Sequence, residues 1–179
     1  ALPTRTRFLR KIWERHPEVK WLFLAVKRRS QWIERPIQKD KELPKNLRAF
    51  FRKHPATKYD LYFCPNTFRS PQRKAEEAIR TPYAWCDIDE ADPYRFVPPP
   101  SVLWESSPGR YQGLWSFCKR LSPRQAERVS KYLTYEFDGD HNGWTVTKVL
   151  RVPGTYNHKR DGKPPKVNLL ELDLTLINP

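Results

Sequence analysis

The chain has 179 residues, enough for one domain or two closely packed halves around a real core. Lys and Arg number 34 against 20 Asp and Glu, a formal net charge of +14, which points to a polyanionic partner, most simply nucleic acid. A 38% hydrophobic composition with 7 Trp, 8 Tyr and 9 Phe excludes a disordered basic tail, while 6 Gly and 3 Cys exclude collagen and a disulfide scaffold.

Residues 5–15 set Phe8, Ile12 and Trp13 at helical spacing among basic residues. Val19 to Val26 is a short apolar run that reads as a buried strand. Residues 35–45 are charged, contain Pro36 and Pro44, and read as an exposed loop. Asn46 to Lys53 reads as a helix with Leu47, Phe50 and Phe51 on one side, and Tyr59 to Phe63 as a strand. Gln72 to Arg80 reads as a short helix with Pro71 near its start. Tyr83 to Ile88 is a strand running into acidic residues, and Pro98, Pro99 and Pro100 mark a stiff connection. Val102–Glu105 and Tyr111–Phe117 form a hairpin around residues 106–110. Ser122 is an N-cap and Pro123 the first turn of a helix reaching Glu136. Residues 138–144 form a polar loop. Lys148–Val152 is a strand stopped by Pro153-Gly154, and Val167–Leu172 is the last strand. Residues 83–179 thus read β–ββ–α–β–β, an α+β arrangement with one open sheet.

The cysteines, Cys64, Cys86 and Cys118, are odd in number and none is paired at CxxC spacing. That suggests neither zinc nor a disulfide framework and fits a reduced, intracellular protein. The longest apolar stretch, Trp21–Val26, is too short to span a membrane, and the start lacks the apolar region of a signal peptide. A cytoplasmic location is expected, and the chain reads as a piece of a longer protein.

Three stretches carry chemistry. In Cys86-Asp87-Ile88-Asp89-Glu90 the two Asp residues stand at i and i+2, which on a strand face one way. Carboxylates this close repel unless a cation sits between them, and Mg²⁺ or Mn²⁺ suits all-oxygen ligands. The plain alternative is an acidic, solvated strand end, but the apolar flank Tyr83-Ala84-Trp85 favours the metal. In Ser106-Ser107-Pro108-Gly109-Arg110-Tyr111-Gln112 a small turn offers backbone N–H groups, Arg110 a phosphate-binding guanidinium, and Gln112 a donor for phosphate or sugar. The alternative there is an ordinary hairpin turn. In the stretch from Lys148 to Lys159, Lys148, Arg151, Asn157, His158 and Lys159 gather cations and amide donors at one strand end, as a triphosphate needs. The alternative is a basic loop. Arg5, Arg7, Arg10 and Lys11, and the run Lys27-Arg28-Arg29, suit a phosphate backbone or a solvated face equally.

Taken in this order, the three stretches resemble the archaeo-eukaryotic primase superfamily, and most closely the RepB-like primase or primase–polymerase domains of phages and plasmids. Tyr59-Asp60-Leu61-Tyr62-Phe63 through Asp87-Ile88-Asp89-Glu90-Ala91-Asp92-Pro93 resembles the approach to that family's DxD motif. Ser106 to Gln112 resembles its second motif, and Gly143-Trp144 through Arg151-Val152-Pro153-Gly154-Thr155-Tyr156-Asn157-His158-Lys159 its third block. Gln112 stands where many members of the superfamily carry His, a swap the RepB-like phage subset tolerates. Thr145 stands where some relatives carry an acid.

The resemblance implies an α+β fold. Its catalytic core is of the archaeo-eukaryotic primase type, an RRM-like antiparallel sheet with helices on one face, beside a smaller N-terminal α/β half. Residues 1–179 would be one catalytic domain, with 1–82 as the N-terminal half and 83–179 carrying the active site, as a piece of a longer primase–helicase. The implied reaction is template-directed nucleotide addition in replication of a phage, plasmid or other mobile element, using two divalent ions, Mg²⁺ or Mn²⁺. Asp87 and Asp89 would hold the metals with a third acid, best Asp140, then Asp138, with Glu171 outside them. Ser107, Arg110, Gln112, Lys148, Arg151, Asn157, His158 and Lys159 would bind the nucleotide. The implied partners are a single-stranded DNA template, a primer, nucleoside triphosphates and a helicase, in a bacterial or archaeal host cell.

Two other readings fit parts of the sequence. A non-catalytic single-stranded nucleic-acid-binding module of RRM type explains charge and aromatics but leaves the carboxylate pair unexplained. A metal-dependent nuclease explains the acids, but the common type wants a lysine beside them, and none lies within four residues of Asp89.

Overall fold

The structure, a computed structural model, describes residues 2–17, 20–159 and 161–178. Helix α1 (Thr4–Glu14) lines up Phe8, Leu9, Ile12 and Trp13 on one stripe, and all four are essentially inaccessible to solvent. A hairpin follows, β1 (Trp21–Arg28) and β2 (Gln31–Gln38), then α2 (Leu43–Lys53) and β3 (Asp60–Phe63). The remaining elements are β4 (Thr81–Asp89), β5 (Val102–Ser107), β6 (Arg110–Leu121), α3 (Pro123–Glu136), β7 (Leu150–Arg151) and β8 (Asn168–Leu172). The expected start of the first strand at Val19 lies outside the described residues. Among the described residues, no helix is long and apolar enough to cross a membrane.

The strands form two antiparallel four-stranded sheets, in the orders β2-β1-β3-β7 and β4-β6-β5-β8. This mixed α+β architecture agrees with the expected class. Helix α1 belongs to both sheets. Its Phe8 ring packs edge-on against Phe63 of β3 at 5.2 Å and Trp104 of β5 at 5.3 Å. Trp13 Nε1 donates to the Cys64 carbonyl, and Tyr83 of β4 donates its hydroxyl to the Ile12 carbonyl at 2.6 Å. One hydrophobic core therefore runs through both sheets.

Helix α3 starts as its sequence dictates. The Ser122 hydroxyl accepts from the Gln125 N–H while the Gln125 side chain accepts from the Ser122 N–H, a reciprocal cap. It lies on β4, where Ser130 Oγ accepts the Trp85 N–H at 3.0 Å.

Three segments depart from the sequence expectations. Residues 35–38 are not loop: they pair with β1, Ile37 opposite Leu22. Pro36 is tolerated because β2 is an edge strand and its missing N–H faces no partner. Residues 72–80 form only a 3₁₀ turn, Ala75–Glu77. The Arg69 N–H donates to the Glu77 carbonyl and Phe68 bridges to buried Ala78, so tertiary pairing stretches what local propensity would coil. The strand expected at 148–152 is two residues long and joins β3, in the sheet built by the N-terminal half. Residues 83–179 therefore do not form one open sheet by themselves.

Candidate active site

The end of β4, the β5–β6 turn, the loop after α3 and the segment around β7 meet at a cleft of about 860 Å³. Both sheets supply its walls. The metal and nucleotide residues expected from the sequence all line it: Asp87 and Asp89, Ser107, Arg110 and Gln112, Lys148, Arg151, Asn157, His158 and Lys159, and the third acid implied by the resemblance, Asp140. Segments far apart in the chain, from Asp87 to Lys159, thus converge. The other acids considered do not. Glu171 is exposed on β8, paired opposite Leu103, and Asp138 lines a separate small hollow beside Ala91 and Arg95.

Strand alternation alone does not put Asp87 and Asp89 together. Asp87 pairs with Gln112 and Asp89 with Tyr111, so two steps on β4 face one on β6, a bulge. Asp89 takes a positive φ of 55°, a conformation that Asp tolerates better than most residues. There its carboxylate meets Arg110, whose guanidinium also reaches Glu90, at 2.5 and 2.7 Å.

Asp140 is brought to Asp87 by two glycines. Its N–H donates to the Asp87 carbonyl at 2.8 Å. A Cβ on Gly139 would lie 2.8 Å from Cys86 Sγ, and one on Gly143 3.1 Å from Asp87 Cβ. Only hydrogen at both positions lets the loop lie this close to β4.

Burial pushes the Asp87 carboxyl above its ordinary range. The Lys148 ammonium, 3.4 Å away, pulls it back, the neighbouring Asp140 pushes it up, and a hydrogen bond from Gln112 pulls it down. Lys148 supplies the lysine that no residue near Asp89 in the sequence provides. Gln112 is 6% exposed. Its Oε1 accepts from the Arg151 N–H at 2.9 Å and from Trp104 Nε1 at 3.0 Å, which fixes the amide and turns its NH₂ to Asp87. Burial also pushes the neighbouring Cys86 thiol up to about 12, so it stays protonated.

Several cleft residues are committed to the fold as well. Arg151 is 7% exposed and makes a 2.7 Å ion pair with Asp60, its guanidinium 4.9 Å from the centre of the Tyr62 ring. The same Asp60 oxygen accepts the His158 N–H at 2.8 Å. The His158 ring donates from Nε2 to the Ala56 carbonyl at 2.8 Å. Asn157 donates to the Ser106 carbonyl, clamping the β5–β6 turn to the segment after β7, and accepts the Lys159 N–H. Of the expected nucleotide-binding cations, Arg110 pairs with Asp89 and Glu90, Lys148 with Asp87, and Lys159 is exposed at the cleft.

Sequence reasoning passed over Asp60, Tyr62, Trp32 and Lys58, which also line the cleft. Asp60 and Tyr62 share one face of β3 by the period of two, and a carboxylate opening an otherwise apolar strand was the available signal. Trp32 falls between the basic run Lys27-Arg28-Arg29 and the charged 35–45 segment, in a stretch the sequence assigns to no element. Among the described residues, no group of three or more His, Cys, Asp or Glu side chains is gathered to hold a metal ion. Asp89 is drawn to Arg110 and Asp87 to Lys148 instead.

The fold is that of archaeo-eukaryotic primase cores. The AEP domain of the cyanophage S-2L primase-polymerase superposes with a TM-score of 0.72 at 11% identity, covering 97% of this chain and 92% of that one. The catalytic domain of primase RepB′, solved in complex with initiator DNA, gives 0.69 at 16% identity, with 97% and 87% covered. A longer RepB′ primase structure gives 0.71 at 19% identity; 97% of this chain is covered, and the chain spans 58% of that protein's length. No curated protein matches this chain. The family model for the RepB DNA-primase N-terminal domain matches residues 84–175, and the chain belongs to that family.

Proposed function

We propose that this cleft is the active site of a replicative primase or primase–polymerase, adding nucleotides to a growing strand on a single-stranded DNA template. Residues 1–179 act as one catalytic domain, with the 1–82 half forming one wall and the 83–179 half carrying the carboxylates. The observation that carries this reading is the convergence of Asp87, Asp89 and Asp140 with Arg110, Lys148 and Lys159 in one cleft. That is the pairing of hard anionic ligands with phosphate-binding cations that nucleotidyl transfer requires.

The donor chemistry, carboxylate oxygen alone, suits Mg²⁺ or Mn²⁺, which would have to draw together acids that here answer to Arg110 and Lys148. All the acids are carboxylates, and the charge on Asp87 is disfavoured by burial and by Asp140 and supported by the Lys148 ammonium and the Gln112 amide. Asp87, Asp89 and Asp140 would hold the ions. When bound, these acidify the attacking 3′-hydroxyl and neutralise charge on the phosphates. Arg110 and Lys159 hold the triphosphate, with Lys148 beside it, and the Ser107 turn shapes the pocket around them. Gln112 and Arg151 keep Asp87 and the β7 segment in place. Asn157 and His158 fix the backbone that carries Lys159.

A metal-dependent nuclease remains the second reading, favoured by Lys148 at 3.4 Å from Asp87. Labelled nucleotide incorporation on a single-stranded template, with Mg²⁺ or Mn²⁺ and with or without primer, separates the readings. Incorporation lost by a factor of about 10²–10³ in Asp87→Asn, with melting unchanged, is the expected result. This magnitude is of the order seen when transition-state charge stabilisation is removed. Template degradation without incorporation would overturn the transferase. Incorporation retained in Asp87→Asn would overturn the site.

A further inference from the structure

An exposed indole held rigid is unusual, because ordering it for no contact gains nothing. Trp32 is 41% exposed on β2, at the rim of the cleft. One side of its ring leans on Tyr62, centroids 5.2 Å apart. Its Nε1 donates to Glu34 at 3.3 Å. Glu34 is in turn gripped by Arg73, which also donates to the Thr147 carbonyl. The ring is thus held at its Nε1 edge and by a tilted contact with Tyr62, while much of its surface stays open to solvent.

Directly across the hairpin, Lys27 pairs with Trp32 in register. Lys27, Arg28 and Arg29 are consecutive and exposed, and Lys58 joins them on the same wall. Arg29 has a positive φ of 57° at the hairpin tip. These cations are separate from Arg110 on the β5–β6 turn and from Lys148 and Lys159 on either side of β7. A row of further cations beside a fixed aromatic face matches a polymer, with phosphates along the row and a base on the ring.

We propose that the β1–β2 hairpin is the seat of the single-stranded template, with Trp32 as the platform on which one template base stacks. The inference rests on the proposed function only in calling that strand the template. The binding itself can be measured without catalysis.

The test uses a fluorescein-labelled oligo-dT and the whole chain carrying Asp87→Asn, without metal or nucleotide. Trp32→Ala should weaken binding about tenfold, the effect of losing one base–aromatic stack. Trp32→Phe should recover most of it. Lys27→Gln with Arg28→Gln and Arg29→Gln should flatten the dependence of log affinity on log salt by about 2, at about 0.7 per lost phosphate contact. With Asp87 intact, Trp32→Ala should raise the KM for template and leave that for nucleotide unchanged. Unchanged DNA affinity in Trp32→Ala, or a rise confined to the nucleotide KM, overturns the inference. Absent incorporation in the wild type with the Trp32 effect intact would overturn the proposed function alone.

Discussion

His16 is a fully buried imidazole that the folded chain keeps neutral. Its Nε2 lies 2.7 Å from the Pro65 carbonyl, and its Nδ1 lies 3.4 Å from the Thr67 hydroxyl. Burial drives its pKa down to about 3; the Pro65 hydrogen bond resists, and Lys39, Arg120 and Arg15 reinforce the fall. The unfolded chain takes up a proton near pH 6.5 that the folded chain refuses until about pH 3. Stability from this group is therefore complete above pH 6.5 and declines as pH falls, at about 1.4 kcal/mol per unit. Between pH 7 and pH 5 the loss is about 2 kcal/mol. Urea midpoints at the two pH values should drop further for the wild type than for His16→Gln, and equal drops would refute the assignment. Such a residue was invisible in the sequence, since a lone His carries no sign of its burial. Gln112 was visible but its role was not. The sequence offered it as a donor for phosphate or sugar, and only the contacts with Trp104 and the Arg151 backbone reveal an amide oriented to hold Asp87.

Among elements, those whose signals are local were the legible ones. The Ser122 cap with Pro123 and Gln125 sets the start of α3, and the apolar stripe of Phe8, Ile12 and Trp13 sets α1. Elements decided by distant partners were not. β2 exists because β1 offers it an edge, β7 because β3 does, and residues 72–80 keep only the 3₁₀ turn Ala75–Glu77 because Ala78 bridges to Phe68. The loop between α3 and β7 mixes both kinds. Its polar, glycine-containing composition was plain, but the reason for the glycines is the approach to β4. Gly139→Ala would press its methyl against Cys86 Sγ, 2.8 Å away, and the Asp87 carbonyl, 3.1 Å away. Overpacking of this kind costs about 1–3 kcal/mol. The loop also carries Asp140, so incorporation should fall by more than the stability loss explains. Melting temperature and incorporation rate, measured together, check this. A rate unchanged at a temperature where the variant is fully folded would detach Asp140 from the reaction.

At the scale of the whole molecule, the cleft sits on a seam and the seam is closed from both sides. The carboxylates come from the sheet of β4 and β6, while Asp60, Tyr62 and the basic hairpin come from the sheet of β1 and β3. Two devices join them. Helix α1 from the N-terminal half sends Phe8 between Phe63 and Trp104. Strand β7 from the C-terminal half completes the first sheet beside β3, and the Arg151–Asp60 ion pair crosses the same boundary with both side chains about nine-tenths buried. Each half therefore leaves apolar surface and a buried charge uncovered without the other, and removing one partner of such a pair costs about 3–5 kcal/mol. Against a total stability of roughly 5–15 kcal/mol, neither half can stand that loss together with the exposure of the α1 stripe. The chain should unfold in urea as one transition, coincident by tryptophan fluorescence and far-ultraviolet circular dichroism. Residues 1–82 and residues 83–179, produced separately, should show no cooperative unfolding; mixed, they should regain it only by association. A fragment that folds alone, or two separated transitions in the intact chain, would mean that the cleft walls are independent bodies, not one rigid frame.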